Sequence, residues 1–463
     1  MGSEMCIRDR VDVRRQKHVA PPAHHVYEST EGDGHTRHAR FRNPWSSWHV
    51  PSTLELLQGL EWGVLPGAED APPRPTASSR IFDMLSGANR RLFGGMDHSA
   101  PSEKACGPPL SVQTPEFASA PHAPTVRATW LGHASVLVKL PALENAGVRP
   151  LNVLFDPIFS QRCSPSQSFG PLRSFPPPCT VQELPGVDLV IISHNHYDHL
   201  DLNTVEALWR HHSHTVHFVV PLGNKAWFLD LPCGISGDRV HELDWWDEIL
   251  VNRPSGDSSL RIVCTPAQHG SGRSGRDANA TLWASWMLEY KLQQQPEPFR
   301  AYFGGDSGYQ FRLGDGDQGP SAPACPAFGE IATKVGTPDF LMLPVSVGAT
   351  YAYLKSFDPL PDWLSPVPRL SDGLTGANHM SASDAVHVFQ EMTSGRNRRN
   401  PPVAMGIHWG TFVEGPAEVA HTAYKLKHAC QERNVRFMRE VHGSLEGPSF
   451  ALVNHGQSVE LPL

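Results

Sequence analysis

The most constraining feature of this chain is a short polar segment, SHNHYDHLD, that emerges from an apolar run, GVDLVIIS. The apolar run covers 186–193 and has the length and branched residues of a buried strand. After Asp201, a suitable N-cap, the sequence LNTVEALWRHH has helical spacing. The polar segment is therefore predicted to be a loop between a strand and a helix, where several side chains can face one side.

The spacing of histidine and aspartate in this loop is typical of a metal site. In an extended chain, residues two apart project in the same direction, so His194 and His196 can bind one ion. Asp198 and His199, past the turn, would then face a second ion. A helix-capping cluster with exposed histidines is the alternative. Because each ion needs three or four ligands, the metal hypothesis demands partners further along the chain.

Three downstream residues stand where strands are predicted to end at the same rim. His269 follows LRIVCTPAQ, Asp306 follows AYFGG and His408 follows PVAMGI. Each residue alone could have a structural role, but together they complete two ligand sets. The predicted ligands are His194, His196 and His269 for one ion and Asp198, His199 and His408 for the other, with Asp306 bridging both.

Such a centre would perform hydrolysis. Two metal ions about 3.5–4 Å apart lower the pKa of a shared water, so hydroxide is available at neutral pH, and they stabilise entering and leaving oxygens. The expected substrate is a phosphoester, ester, lactone or amide. The histidine-rich ligand set favours two Zn²⁺ ions, with manganese or iron as alternatives. Asp198 and Asp306 are predicted to be catalytic as well as metal-binding.

Three further residues are candidates for the site. Asp156 in LFDP can accept the free N–H of a metal-binding histidine, and His133 in TWLGHAS could support the ligands in a similar way. A purely structural role is the alternative for both. His379 in GANHMSASDAV precedes a predicted helix and is a candidate catalytic residue that contacts substrate or protonates a leaving group. A surface histidine beside the helix cap is the alternative there.

The rest of the chain alternates between many predicted strands and a few helices, which indicates an α/β protein with sheets packed together and helices outside. Residues 1–40 are predicted to be a disordered tail whose first ten residues read as non-native. Residues 41–125 form an extension that packs on the catalytic domain. The catalytic domain covers 126–463 and carries surface insertions at 313–327 and 352–378.

Two N-terminal segments bear on metal and membrane binding. His24, His25, His35 and His38 lie in the predicted tail and are interpreted as solvated, with adventitious metal binding as the alternative. The sequence TLELLQGLEWGVL (53–65) predicts a helix. Ordinary packing against the core is the favoured interpretation, and a membrane-facing or groove-lining face is the alternative.

Composition limits the partners and the location. With 39 basic and 47 acidic side chains the net charge is −8, so no general nucleic-acid binder is expected. The eight cysteines are scattered without a C-x-x-C pair, which favours reduced thiols in an intracellular protein. No apolar run approaches the roughly 18 residues of a spanning helix. The predicted location is intracellular, either cytoplasmic or peripheral to a membrane.

These residues resemble the metallo-β-lactamase superfamily, in which an H-x-H-x-D-H loop, a later histidine, a bridging aspartate and a final histidine occur in the same order. The likeness is closer to its N-acylphosphatidylethanolamine-hydrolysing phospholipase D branch. The shared stretches span about residues 41–413 and include FRNPWSSW, TWLGHAS, DPIFSQRCSPSQSFGP, ISHNHYDHLD, ELDWWDE, TPAQH, GGDSGY and IHWGTF.

The resemblance implies an αββα sandwich of two mixed sheets flanked by helices, with two zinc ions bound by the seven residues above. It implies cleavage of N-acylphosphatidylethanolamine into an N-acylethanolamine and phosphatidic acid by metal-bound hydroxide, and a substrate-side role for His379. A phospholipid substrate at a membrane surface and a tendency to form homodimers follow from the same resemblance.

Two departures from the family lie near the presumed substrate groove. Gly270 stands where the family usually has an aromatic residue, and the stretch 352–378 is much longer than in the family. Both put lipid specificity in question and leave the metal chemistry intact. The alternative enzyme is a soluble metal-dependent lactonase or phosphodiesterase acting on a small polar substrate. The alternative of another class is a metal-binding protein without catalysis.

Overall fold

The computed structural model describes most of the predicted catalytic domain and parts of the N-terminal region. The described residues are 10–15, 22–29, 36–61, 109–117, 124–142, 149–252, 258–293, 295–313, 321–346, 369–395, 400–412, 416–439 and 446–463. Two regions lie outside the described residues. One is 62–108, which is most of the predicted extension. The other is 347–368, which includes most of the second predicted insertion.

Strands dominate the described chain and coincide with runs of apolar, β-branched and aromatic residues. In chain order they are β1 (Arg10–Arg14), β2 (His25–Ser29), β3 (Thr36–Phe41), β4 (Leu60–Glu61), β5 (Thr125–Gly132), β6 (Ser135–Leu140), β7 (Leu151–Phe155), β8 (Leu189–Ile191), β9 (His217–Pro221), β10 (Val240–Leu243), β11 (Glu248–Asn252), β12 (Ser258–Thr265), β13 (Ser285–Leu292), β14 (Phe299–Phe303), β15 (Phe340–Pro344), β16 (Arg369–Leu370), β17 (Val403–Ile407), β18 (Arg436–Met438), β19 (Ser449–Ala451) and β20 (Ser458–Pro462).

Two sheets contain most of these strands. The larger has the order β1-β11-β12-β13-β14-β15-β17-β19-β18, and the smaller has the order β10-β9-β8-β7-β6-β5-β20. Both sheets are mixed: β7, β8 and β9 run parallel, as do β14, β15 and β17, whereas β5 and β6 form an antiparallel pair. Strands β7, β8, β15 and β17 are buried along their whole length, which explains their continuous apolar runs.

The two sheets pack face to face around large aromatic side chains. Phe155 on β7 stacks on Phe303 on β14, with ring centroids 4.6 Å apart. The indole N–H of Trp286 on β13 donates to the Ile192 carbonyl across the interface at 3.0 Å. Burial of each such ring stabilises the fold by about 1.5–3 kcal/mol. The interface therefore fixes the relative position of the two sheet edges that carry the polar loops.

Helices cover the outer faces. They are α1 (Thr53–Gln58), α2 (Leu202–His212), α3 (Lys225–Leu229), α4 (Ala327–Lys334), α5 (Ala382–Thr393) and α6 (Pro416–Glu432), with 3₁₀ turns at Val181–Glu183, Gly237–Arg239 and Asp372–Thr375. The apolar side of α2 packs on the smaller sheet through Val205 and Leu208, and α5 packs on β15 of the larger sheet. This arrangement confirms the predicted αββα sandwich of two mixed sheets flanked by helices.

The helices that follow the polar loops begin in different ways. Asp201 occupies the N-cap of α2, as predicted, but its carboxylate accepts hydrogen bonds from Ser160 and Thr204 instead of from the first helical amides. Helix α5 begins with a capping box between Ser381 and Asp384. Arg312 also pairs with Asp384. The start of α5, just after His379, is thus fixed by three polar side chains.

The described part of the N-terminal region is ordered where the sequence predicts a disordered tail. Strand β1 pairs antiparallel with β11 at the edge of the larger sheet, from Arg10 opposite Asn252 to Arg14 opposite Glu248. Strands β2 and β3 form a separate two-stranded sheet. The segment has little apolar character of its own, so its order depends on pairing with a strand more than 200 residues further along the chain.

Two more predictions about surface segments need correction. The described end of the 352–378 stretch is not a surface insertion, because Ser371, Leu374 and Ala377 are buried. Helix α1 covers only the first part of 53–65 and has no buried residue, so its leucines do not pack in the core as favoured from sequence. None of the helices in the described ranges is long and apolar enough to cross a membrane.

Candidate metal centre

Polar side chains collect at one rim of the sandwich because the strands of both sheets end there. The loop that contains SHNHYDHLD leaves β8, and other polar residues follow β7, β12, β14 and β17 or occupy the turn between β5 and β6. The residues at these strand ends are, in chain order, His133, Asp156, His194, His269, Asp306 and His408. The structure therefore brings together residues that are up to 275 positions apart.

Three imidazoles form what we call the first half of the centre. His194 Nε2 lies 2.7 Å from His196 Nδ1, and His269 Nε2 lies 3.2 Å from the former and 3.3 Å from the latter. These are the three residues that the sequence assigns to one ion. Three imidazole nitrogens converging on one point are a ligand set suited to a divalent cation such as zinc.

The second half combines histidines with a carboxylate. Asp198 Oδ2 lies 3.6 Å from Nε2 of both His199 and His408, the partners that the sequence predicts for it. His133 Nε2 also lies 3.0 Å from Asp198 Oδ2, so this residue belongs to the same group of potential ligands. The sequence prediction gives His133 only a supporting role. The geometry allows it either to bind an ion or to orient Asp198.

Asp306 lies between the two halves. Its Oδ2 is 3.0 Å from His199 Nε2 and 3.1 Å from His408 Nε2, and it is 3.8 Å from His194 Nε2 and 3.9 Å from His269 Nε2. Within the described residues, Asp306 Oδ1 and the Nε2 atoms of His199 and His408 have no hydrogen-bond partner of acceptable geometry. Buried polar atoms are normally paired, and two cations would pair with these. The residues present thus fit a dimetal site.

Asp156 supports one histidine in each half. In the second half, His199 Nδ1 donates to Asp156 Oδ2 at 2.6 Å, so its Nε2 is the ring nitrogen that faces the centre. In the first half, His194 Nδ1 lies 2.9 Å from the Ser193 hydroxyl, which itself donates to Asp156. The Ser193 backbone N–H also donates to this carboxylate at 2.7 Å. Asp156 therefore occupies the position in which the sequence predicts an acceptor.

The loop that carries His269 is held by residues that the sequence prediction did not include. The imidazole Nδ1 donates to the Asn378 carbonyl at 2.9 Å, which leaves Nε2 for the centre. The Asn43 side chain donates to the His269 carbonyl at 2.7 Å and accepts from its N–H at 3.1 Å. Gln268 donates to the Ala377 carbonyl at 2.8 Å. The motif FRNPWSSW, which contains Asn43, was the sequence feature that could have pointed to a role for this residue at the site.

Arg273 holds the SHNHYDHLD loop from outside and was also missed. Its guanidinium donates to the carbonyls of Asn195 at 3.0 Å and Leu200 at 2.8 Å. It also lies over the Tyr197 ring, 4.0 Å from the centroid. From the sequence, only Gly270 was singled out in this stretch, as standing where the family usually has an aromatic residue. A lone arginine in a glycine-rich stretch gives no local sign of its target.

The backbone at three site residues is left-handed. The φ angles are 51° at His133, 35° at Asp156 and 60° at His408, a region that residues with a Cβ seldom occupy. Hydrogen bonds stabilise these conformations: His408 N–H donates to the His133 carbonyl at 2.9 Å, and His133 N–H donates to the Thr411 hydroxyl at 2.6 Å. Strained backbone of this kind clusters at functional sites.

His379 reaches the centre from the segment before α5. Its Nδ1 lies 3.8 Å from Asp306 Oδ2, and its ring centroid lies 4.9 Å from that of His269. Gly308 permits this approach, because a Cβ there would stand 2.0 Å from the Ala377 carbonyl oxygen. Burial lowers the pKa of His379 to about 4. The residue is therefore next to the metal ligands rather than on the surface.

The electrostatic character of the two halves differs. Burial holds the pKa values of His194 and His269 well below the usual histidine range. Burial also acts on His408, but the carboxylates of Asp306 and Asp198 outweigh it and raise the pKa of His408 to about 9. The same balance, with Asp306 as the largest opposing charge, raises the pKa of His199 well above its usual value.

The sequence of the domain that carries this site matches a known family. Residues 151–409 match a family model described as a beta-lactamase superfamily domain. The chain belongs to the metallo-β-lactamase superfamily. As a member of this superfamily it is a metal-dependent hydrolase, and the fold implies a dimetal site at the rim where the histidine and aspartate clusters lie. The predicted resemblance is thereby confirmed.

Curated relatives place the chain near one branch of the metallo-β-lactamase superfamily. An uncharacterized protein of Mycobacterium tuberculosis is 33% identical over 321 residues, which cover 69% of this chain and 68% of the relative. The N-acyl-phosphatidylethanolamine-hydrolyzing phospholipase D 1 of Caenorhabditis elegans is 30% identical over 334 residues, covering 71% of this chain and 74% of the relative. The mitochondrial N-acyl-phosphatidylethanolamine-hydrolyzing phospholipase D of Saccharomyces cerevisiae is 26% identical over 386 residues, covering 81% and 68%.

Solved structures give a weaker likeness. The diiron β-hydroxylase CmlA of Streptomyces venezuelae aligns with a TM-score of 0.39 and 16% sequence identity, covering 75% of this chain and 55% of that chain. The assignment to the metallo-β-lactamase superfamily therefore depends on the family model and the sequence relatives.

Proposed function

We propose that the protein is a zinc-dependent hydrolase of phospholipase D type that cleaves N-acylphosphatidylethanolamine into an N-acylethanolamine and phosphatidic acid. The observation that carries the proposal is the position of Asp306 Oδ2, within 3.9 Å of histidines from both halves of the centre. This is where a bridging ligand would stand. Two curated relatives bearing the name of this activity supply the substrate class.

The ligand set favours zinc. In the first half the donors are three imidazoles, and in the second they are imidazoles and carboxylates, with Asp306 shared. Two zinc ions bound here would act as Lewis acids toward the phosphodiester oxygens and lower the pKa of a shared water. Asp156 and the Asn378 carbonyl keep the lone pairs of His199 and His269 directed at the centre. The protein's contribution is therefore a rigid, buried and oriented donor set.

His379 is the residue proposed to meet the substrate. It is half-buried, whereas His194, His199, His269 and His408 are fully buried, and its Nδ1 stands 3.8 Å from Asp306 Oδ2. With a pKa of about 4 its imidazole is neutral at neutral pH. A neutral imidazole can donate one hydrogen bond to a phosphate oxygen or to the oxygen of the leaving N-acylethanolamine without adding charge to the site. This assigns His379 to substrate orientation.

Exposed apolar side chains lie on α1 and just before it. Leu54 and Leu57, three residues apart on one side of the helix, and Val50, ahead of its first turn, are each more than 60% exposed. The helix is tied to the segment that leads to His379, because the Ser371 N–H donates to the Gly59 carbonyl at 2.9 Å. We assign this face, which we call the α1 face, to contact with the lipid surface that presents the substrate.

Product analysis tests the reaction. The zinc-loaded protein would be incubated with mixed micelles of N-acylphosphatidylethanolamine and phosphatidylcholine, and the products identified by mass spectrometry. We expect N-acylethanolamine and phosphatidic acid from the N-acylated lipid, with no free choline from phosphatidylcholine. Turnover of a small soluble phosphodiester or lactone combined with no cleavage of the micellar lipid would contradict the proposed substrate and favour the alternative hydrolase.

Vesicle binding tests the α1 face separately. Replacing both Leu54 and Leu57 by serine should lower binding to vesicles and raise the apparent KM for micellar lipid several-fold, with little effect on hydrolysis of a monomeric short-chain substrate. Leu229, an exposed leucine on α3, provides the matched control as Leu229→Ser. Equal vesicle binding by the double variant and the control would remove the α1 face from the proposal.

A further inference from the structure

A second group of histidines lies away from the metal centre, beside the strand β10. His24 Nε2 is 2.8 Å from Asp244 Oδ1, and His25 Nε2 is 2.8 Å from Asp244 Oδ2. The side chains of all three residues are no more than 10% exposed. Asp244 comes directly after β10 in the sequence HELDWWDE, more than 200 residues from the two histidines. Tertiary folding thus brings together three buried side chains of types that commonly bind metals.

The local backbone allows two consecutive histidines to face the same carboxylate. The His25 N–H donates to the Pro22 carbonyl at 3.0 Å, so the chain turns at His24 before β2 begins. The two rings stand nearly perpendicular, at 82° with centroids 4.6 Å apart. The rings of His194 and His196 in the metal centre have almost the same relation, at 83° and 4.4 Å. The ring arrangement is therefore one that the protein also uses where metal ligands converge.

We propose that His24, His25 and Asp244 form a third metal site, separate from the dimetal centre, that binds one zinc ion or a similar borderline divalent cation. Two imidazoles and one carboxylate are a set of protein ligands that zinc accepts, with water in the fourth position. Tetrahedral zinc needs ligand atoms about 3.3 Å apart. The present separations of 2.8 Å between the histidine nitrogens and Asp244 are hydrogen bonds, which would have to open by about 0.5 Å for zinc to replace the hydrogen-bonded protons.

This ion would attach the N-terminal segment to the catalytic domain. His24 stacks on Trp245 with ring centroids 4.1 Å apart, and Trp245 stacks on Trp45 at 5.4 Å. Trp45 belongs to the motif that contains Asn43, whose side chain holds the backbone of His269. A metal bound at Asp244 would therefore stabilise the segment that supports the first half of the dimetal centre. Such binding energy is folding energy, because no preformed site exists in the unfolded chain.

Zinc stoichiometry tests the proposal on the full chain. The protein would be stripped with a chelator, dialysed against a fixed concentration of free Zn²⁺, and analysed for metal by mass spectrometry. We expect about three zinc ions per chain in the wild type and one fewer in both His25→Gln and Asp244→Asn. His241→Gln is the matched control, because His241 pairs with His217 at 2.9 Å outside the groups of potential metal ligands. It should bind as much zinc as the wild type.

Protease protection provides a second measurement that does not depend on activity. Zinc should protect the segment around residues 22–41 from limited proteolysis in the wild type, and this protection should be lost in both variants while circular dichroism shows an intact fold. Two variants in different elements are used so that misfolding of one leaves the other informative. Variants that retain the full wild-type zinc stoichiometry would mean that the cluster is only a hydrogen-bonded group.

Discussion

The two halves of the dimetal centre contain three imidazoles each but differ in the charges around them. In the first half, the imidazole nitrogens of His194 and His269 lie closest to the carboxylate of Asp306, at 3.8 Å and 3.9 Å. In the second half the carboxylate of Asp198 contacts the histidines directly, and Asp306 approaches to 3.0–3.1 Å. With its histidines deprotonated for metal binding, the first half is therefore a neutral set of donors, and the second half is a negatively charged one.

This difference governs what each half must do before it binds an ion. Metal ligands must be deprotonated, so binding competes with protons. The low pKa values of His194 and His269 mean that both imidazoles are already neutral at neutral pH, so neither has to lose a proton when a metal binds. In the second half the raised pKa values of His199 and His408 mean that protons must leave when a metal enters. The two halves should therefore respond differently to mutation and to pH.

The largest effect is expected for Asp306→Asn. The amide keeps the shape of the side chain but removes the charge that both halves share, so both ions should bind more weakly. We expect kcat/KM to fall by well over the roughly 100-fold that loss of a supporting residue costs. Metal analysis should show that zinc is lost from both positions. Loss of a single ion would place Asp306 in one half and contradict its bridging position.

The control for that variant is Glu330→Gln. Glu330 forms an exposed pair with Lys334, at 2.6 Å, on the surface of α4. Exposed ion pairs contribute only about 0–1 kcal/mol to stability. The control should keep full zinc content and activity, so that a loss in Asp306→Asn can be assigned to the centre.

Substitution of single ligands should show that the two halves bind their ions separately. His269→Gln removes a donor from the first half, and His408→Gln removes one from the second, so each variant should lose one zinc ion and retain the other. We expect activity to fall about 100-fold or more in both. Titration with Co²⁺, whose absorption reports the geometry of its ligands, should give different spectra for the ion that remains. Identical spectra would show that the halves are not independent sites.

A smaller effect is expected for Asp156→Asn. The carboxylate orients His199 directly at 2.6 Å and reaches His194 through the Ser193 hydroxyl. Loss of such a partner typically costs about 10–100-fold in metal affinity or activity. The second half should be affected more, because its contact with Asp156 is direct. Zinc dissociation constants measured for both ions by competition with a chelator would show whether the first half weakens instead.

The dimetal centre could be anticipated from the sequence because its ligands obey local rules. The spacing of His194 and His196 fits one ion in an extended loop, and His269, Asp306 and His408 each follow an apolar run that becomes a strand. Ends of neighbouring strands meet at one rim, so the position of each residue in the chain already indicates its place in the fold. The sandwich itself follows from the same runs.

Asp156 was anticipated as a partner of the ligand histidines, but Asn43 and Arg273, which hold the ligand loops, were not, because their contacts are not local. Asn43 and His269 are 226 positions apart, and the contact between them depends on how the N-terminal segment lies on the domain. Strand β1 is a similar case: RVDVR is polar, and only pairing with β11 makes it a strand. His24 and His25 were interpreted as solvated for the same reason, since nothing near them in sequence indicates Asp244.

The smallest effect expected is a pH dependence that belongs to the second half alone. In the metal-free protein the pKa of His408 is about 9, whereas an unfolded histidine titrates near 6.5. Between these values the folded state holds the proton and the unfolded state does not, so the stabilisation is complete below about pH 6.5 and is lost as pH rises through 9. The loss could reach about 3 kcal/mol of unfolding free energy. Thermal unfolding of the chelator-treated protein from pH 6.5 to 9 should show this decline, and Asp306→Asn, which removes the largest charge favouring the proton, should flatten it. A decline of equal slope in that variant would mean that the pH dependence arises outside the second half.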